Sequence, residues 1–166
     1  MNYDERVLNY DERVLNYDVN EHYDGLWYWW IVIKKEVMID EKYKHSELTG
    51  KIIACAMEVH NQMGNGFQEV VYQRALSIEM NMQDLPHKRE MEMPLNYKGI
   101  PIGTRRVDFF VDETIMVEIK AVKELEDVHL AQAINYLEAY QMEIGLLINF
   151  GNTRLQFKRV MKPKKA

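Results

Sequence analysis

The sequence predicts an α/β domain built on a mixed β-sheet flanked by helices. Three observations carry that expectation. Two segments of helical periodicity come first, then three alternating or apolar runs joined by tight turns, then a helix followed by two further strands. Such an order makes a three-strand meander followed by a helical crossover.

From Ser46 to Met63 the positions Leu48, Ile52, Ile53, Ala56, Met57 and His60 recur at helical spacing, with Ser46 or Thr49 as candidate caps. Gly64-Asn65-Gly66 ends this helix, and Phe67 to about Met82 reads as a second one. Met91, Met93 and Leu95 alternate with polar neighbours, and Lys98-Gly99 turns the chain. Ile102 to Val111 forms the next strand, Asp112-Glu113 a two-residue turn, and Thr114 to Lys120 a third strand. Val128 to Met142 is helical through Leu130, Ala133, Ile134, Leu137 and Tyr140. The run Ile144-Gly-Leu-Leu-Ile148 suits a central strand buried on both faces. Gly151-Asn152 then turns into a last strand, Arg154 to Val160, before a fraying tail from Lys162.

The 166 residues divide unevenly. Asn2 to Leu8 is repeated unchanged as Asn9 to Leu15, and a third copy starts at Asn16. Tyr and Val fall there at coiled-coil spacings, but an exact tandem copy fits recent duplication better than a selected helix surface. The apolar run Leu26–Ile33 holds all three tryptophans and is too short to span a membrane. Residues 1–37 are therefore read as an appendage, residues 38–166 as the domain, and Met38 as a candidate translation start. The appendage has eight acids and four bases; the domain has 18 acids and 17 bases.

A nearly neutral domain does not advertise tight nonspecific nucleic-acid binding. The 47% hydrophobic and 28% charged composition is that of a globular protein, not a disordered or collagen-like chain. The lone Cys55 excludes an internal disulfide framework and a Cys-rich zinc module, and a cytoplasmic setting is expected.

Glu118-Ile119-Lys120 places a carboxylate and an ammonium on one face of a strand. Acid-x-Lys occurs only twice, the other at Asp40-Glu41-Lys42, which is about as often as composition predicts. Context separates them, because Glu118 follows Ile115-Met116-Val117, where an unpartnered charge is costly. Asp108 is a second lone charge in the neighbouring β-rich run. With a two-residue turn, Val111 faces Thr114 and Asp108 pairs near Val117, within a residue of Glu118. Two carboxylates at adjacent strand ends suit Mg²⁺ or Mn²⁺, and Lys120 could help deprotonate an attacking water or carry phosphate charge. A surface salt bridge from Lys120 to either acid is equally open.

Gly66-Phe-Gln-Glu69-Val-Val-Tyr72 resembles the Gly-x-x-Glu-x-x-Tyr signature of the GxxExxY family, placed within the PD-(D/E)XK nuclease superfamily. The resemblance runs from about Leu48 to Val160, through Glu58-Val59-His60, Arg106-x-Asp108, Glu118-x-Lys120, His129-x-x-Gln132 and Gly145 to Gly151. It implies a restriction-endonuclease-like core and a Mg²⁺-dependent nuclease whose partner is nucleic acid, more readily DNA than RNA. By resemblance Asp108, Glu118 and Lys120 are the catalytic Asp…Glu-x-Lys, and Glu69 is the helix carboxylate that completes the set. Asp108, Glu118, Glu69 and the Ile119 carbonyl would hold the metal. Gln132 and Tyr136 are similar to the Gln-x-x-x-Tyr element of RecB-like nucleases and, with Arg106, would touch substrate. Val107 stands where the superfamily's proline would. His60 and His129 are expected to be core or capping residues. The rival reading keeps the fold as a catalytically silent nucleic-acid- or protein-binding module.

Overall fold

The computed structural model describes residues 44–162. The expected appendage, its Leu26–Ile33 run, the candidate start at Met38 and the tail beyond Lys162 lie outside these residues. Helices α1 (Ser46–Met63) and α2 (Glu69–Met82) precede strands β1 (His87–Tyr97), β2 (Ile100–Val111) and β3 (Ile115–Lys120). Helix α3 (Asp127–Ala139) and strands β4 (Ile144–Asn149) and β5 (Gln156–Met161) follow. The five strands lie in sequence order in one sheet. Only β3 and β4 run parallel, joined through α3 as a crossover requires.

Alternation along β3 divides the core. Ile115, Val117 and Ile119 pack with Ile52, Ala56 and Leu76 of α1 and α2. Met116 packs on the other face with Leu130, Ala133 and Leu137 of α3. β4 is buried at every position, as its apolar run predicts.

Local chemistry sets the element ends. Neither Ser46 nor Thr49 caps α1: His45 occupies the cap position in a left-handed conformation, and Thr49 Oγ1 donates to the His45 and Ser46 carbonyls. Gly64, at φ 67°, closes α1. Tyr72, fully buried, ties the following turn to α2. Its hydroxyl donates to the Gly64 carbonyl at 2.9 Å and accepts the Phe67 N–H at 3.2 Å, while its ring stacks on Phe150 at 4.6 Å.

One expected register is corrected. The β2–β3 connection uses three residues, Asp112 to Thr114, with Asp112 and Glu113 both left-handed at φ 48° and 49°. Thr114 N–H closes the turn on the Val111 carbonyl at 3.0 Å, so Val111 faces Ile115 and Phe109 faces Val117. Continuing the register sets Asp108 opposite Glu118 rather than near Val117.

The segment after β3 is clamped from below. Asn149, fully buried, accepts the Val122 and Gly151 N–H groups and donates to the Val122 carbonyl and to Gln156 Oε1. A Cβ on Gly151 would come within 2.4 Å of the Val122 backbone, so only glycine lets the two segments meet. Asn149→Ala leaves three backbone groups without their partners. It should lower the unfolding free energy by about 3 kcal/mol, read from urea denaturation with an unchanged slope. A loss within error would show that water replaces the amide.

Candidate active site

The ladder between β2 and β3 stops at Phe109–Val117, while β2 continues to pair with β1 as far as Tyr97. The sheet therefore forks at Asp108. Strand alternation would put Val107 and Phe109 on one face. Instead Phe109 belongs to the core under α1 and α2, and Val107 to the core under α3. Across the ladder Glu90 is left-handed at φ 52°. The hairpin bends here and turns the Asp108 carboxylate into the gap that β2 leaves.

Two donors hold that carboxylate. Ile119 N–H donates to Asp108 Oδ2 at 2.6 Å, replacing the backbone partner that a continuing β2 would supply. Gln73 Nε2, from α2, donates to Oδ1 at 2.8 Å. Burial still raises the Asp108 pKa, opposed by these two donors and by the Lys120 charge, with Glu69 adding to the rise.

Glu118 is more strongly affected. Only 5% exposed, it has its pKa pushed up to about 8, first by burial and then by the negative charge of Asp108. Lys120 opposes that rise and Glu69 adds to it, so all four groups share one electrostatic site. Glu118 Oε1 is buried with no hydrogen-bond partner. Glu69, in the first turn of α2, reaches the same end of β3, where its Oε1 accepts the Ala121 N–H at 3.3 Å.

Lys120 is half-buried, and among the described residues its ammonium makes no ion pair with Asp108, Glu118 or Glu69 within 4 Å. The salt-bridge reading of Glu118-x-Lys120 has no support here. The donor chemistry fits a divalent cation: two carboxylates, one with an orphaned buried oxygen, beside the strand backbone of Ile119. Among the described residues no three His, Cys, Asp or Glu side chains are already gathered around one point. The reason is visible in the bonds, since Glu69 is held by Ala121 and Asp108 by Gln73 and Ile119.

The expected substrate contacts separate. Gln132 Nε2 donates to the Tyr136 hydroxyl at 2.7 Å, on α3. One turn on, the Tyr140 hydroxyl donates to the Met93 carbonyl and pins the hairpin to α3. Its pKa is raised by burial first and by Tyr136 next, with Arg105 opposing and Glu118 adding. Arg106 instead pairs with Glu92 at 3.2 Å and Glu90 at 3.7 Å across the hairpin. His60 bonds the Asn152 carbonyl at 3.0 Å, and His129 forms a capping box with Glu126. Both histidines have the structural roles expected of them.

Gln73 and Asn149 are not among the site residues expected from the sequence. Each carried a signal: Gln73 lies one turn after Glu69 on the same face of α2, and Asn149 ends an otherwise apolar strand. A polar side chain in such a place must find a partner.

A protein-family model described as the PD-(D/E)XK nuclease superfamily matches residues 46–160. No curated protein matches the chain. Among solved structures, one titled "Crystal structure of SSO0001" is similar at 15% identity, over 69% of this chain and 67% of that one, with a TM-score of 0.43.

Proposed function

The chain belongs to the PD-(D/E)XK nuclease superfamily, and on that premise we propose that it is a Mg²⁺- or Mn²⁺-dependent nuclease acting on DNA in the cytoplasm. Its five-stranded mixed sheet, flanked by helices, is restriction-endonuclease-like. Within the superfamily we assign it to the GxxExxY family, on the RecB-like side. Gly66, Glu69 and Tyr72 support the first assignment, and the bonded pair Gln132–Tyr136 the second.

The observation that supports the proposal is the fork, which sets Asp108 opposite Glu118, with Lys120 and Glu69 close enough to influence its charge although the four come from three elements. Asp108, Glu118 and the Ile119 carbonyl would hold the cation, with Glu69 joining on release from Ala121. A cation held by these residues would supply Lewis acidity toward the scissile phosphate and the attacking water. Lys120, on the face of β3 that carries Glu118, orients that water and offsets charge developing on the phosphate. Gln73 and the Ile119 N–H fix the Asp108 carboxylate before substrate arrives. Gln132 and Tyr136 line the wall under α3 and steady the nucleotide.

One observation favours a catalytically silent binding module, namely the absence among described residues of a ready-gathered donor triad. A single experiment decides between the two. Supercoiled plasmid incubated with the full chain and millimolar Mg²⁺ should be nicked, and a chelator should stop the reaction. Calorimetric titration with Mn²⁺ should show one saturable site. Absent nicking and absent heat together would establish the silent module.

A further inference from the structure

Beyond the fork, β1 and β2 continue alone as a two-stranded ribbon. Residues Ile100 to Arg106 are exposed throughout, and β1 has no buried position. The tip shows apolar surface to solvent, with Tyr97 62%, Ile100 66% and Ile102 66% exposed. An isolated two-stranded ribbon is marginal in water, so an apolar tip on one calls for an occupant.

Charge identifies the occupant. Residues 93–107 carry three bases, Lys98, Arg105 and Arg106, and no acid, whereas residues 44–162 carry 14 bases and 16 acids. Arg106 is turned to Glu90 and Glu92, whereas exposed Lys98, whose ammonium lies 5.5 Å from the Tyr97 ring centroid, and exposed Arg105, near Tyr140, make no ion pair with a carboxylate among the described residues. The same strand that ends in this tip contains Asp108, six residues from Ile102, or about 20 Å of extended chain. Tyr140 fixes the base of the ribbon to α3 through the Met93 carbonyl. An apolar tip between cations, held at a set distance from the reacting carboxylates, is suited to a nucleic-acid groove. The major groove admits a two-stranded ribbon, and apolar wedges between cations kink duplexes from the minor groove.

We propose that the β1–β2 hairpin is a duplex-DNA-gripping arm, in which Tyr97, Ile100 and Ile102 press into a groove while Lys98 and Arg105 contact the flanking phosphates. This rests on the nuclease reading and adds its substrate class: double-stranded DNA, cut one arm's length from where the tip engages.

The test uses the full chain without divalent cation and a fluorescent 20-base-pair duplex, beside a single strand of equal length. Ile100→Ser combined with Ile102→Ser should weaken duplex binding at least tenfold and leave single-strand binding and the Mn²⁺ titration unchanged. Lys98→Gln combined with Arg105→Gln should reduce the slope of log affinity against log salt by about 2. These side chains are exposed, so unfolding temperatures should stay within a few degrees of wild type; the charge variants give an independent reading if the apolar pair does not fold. Unchanged duplex affinity in both variants, with wild type still binding and cutting, would overturn the arm alone. A wild-type chain that binds no nucleic acid would overturn the nuclease reading and the arm with it. A concentration-dependent dimer in sedimentation, lost in the Ile variants, would assign the tip to a second copy instead.

Discussion

Asp108→Asn and Lys120→Ala should each reduce Mg²⁺-dependent plasmid nicking by at least about 10³-fold, equivalent to about 4 kcal/mol of transition-state stabilisation. The two losses should differ in kind. Asp108 lies at the fork with Glu118, and removing its charge should abolish the Mn²⁺ heat as well as the cleavage. Lys120 makes no ion pair with the acids, so Lys120→Ala should bind Mn²⁺ at least as tightly as wild type while failing to cleave. Asparagine is chosen at Asp108 because alanine would leave both the Ile119 N–H and the Gln73 amide without an acceptor. Gln73→Ala should fall between, losing about tenfold to a hundredfold in Mn²⁺ affinity with the fold intact, as loss of an orienting partner does. Nicking that persists in both Asp108→Asn and Lys120→Ala would remove the catalytic assignment altogether.

Most of the fold was legible because its periodicities are long and its breakers well placed. Every helix and strand expected between Ser46 and Val160 is present, with ends displaced by one to four residues where a change occurs. The β4 run of apolar residues located the sheet centre, since only burial on both faces tolerates such a run. The β2–β3 register differs from the expected one by one residue. Two consecutive left-handed non-glycine residues, Asp112 and Glu113, are unusual, and a three-residue turn built on them has no strong sequence mark. A two-residue turn would leave Asp108 one residue away from Glu118, whereas the observed turn sets the two directly opposite. The fork was illegible for a deeper reason. It depends on Glu90 adopting φ 52° across the ladder and on Gln73 arriving from a helix 35 positions away. Neither follows from local pattern. Arg106, expected to touch substrate, has neighbours that only strand pairing reveals: Glu92 stands opposite it and Glu90 lies within ion-pair reach.

Glu118→Gln should make the metal-free protein more stable at alkaline pH, a reversal of what deleting a paired acid normally does. The folded Glu118 pKa of about 8 lies above its ordinary 4.5, so folding favours the protonated form. Its contribution is then fully present below pH 4.5 and is lost as pH rises through about 8. Asp108, also raised, adds a slope of the same sign. At pH 9 with chelator, up to about 5 kcal/mol of ionisation penalty is lifted by a neutral side chain, less the cost of burying an amide. The variant's unfolding midpoint in urea should therefore exceed that of wild type at pH 9 and fall to equality or below near pH 4. Divalent cation inverts the order. At a hundred times its dissociation constant Mn²⁺ should stabilise wild type by about 2.7 kcal/mol, because it binds the ionised pair, and should leave Glu118→Gln nearly unmoved. Buried carboxylates that destabilise the empty fold and reward a cation are what a metal site requires, whereas a structural ion pair would lose stability on substitution under both conditions. Equal pH slopes for the two proteins in chelator would mean that Glu118 is ionised without help, and the cation would lose its physical warrant.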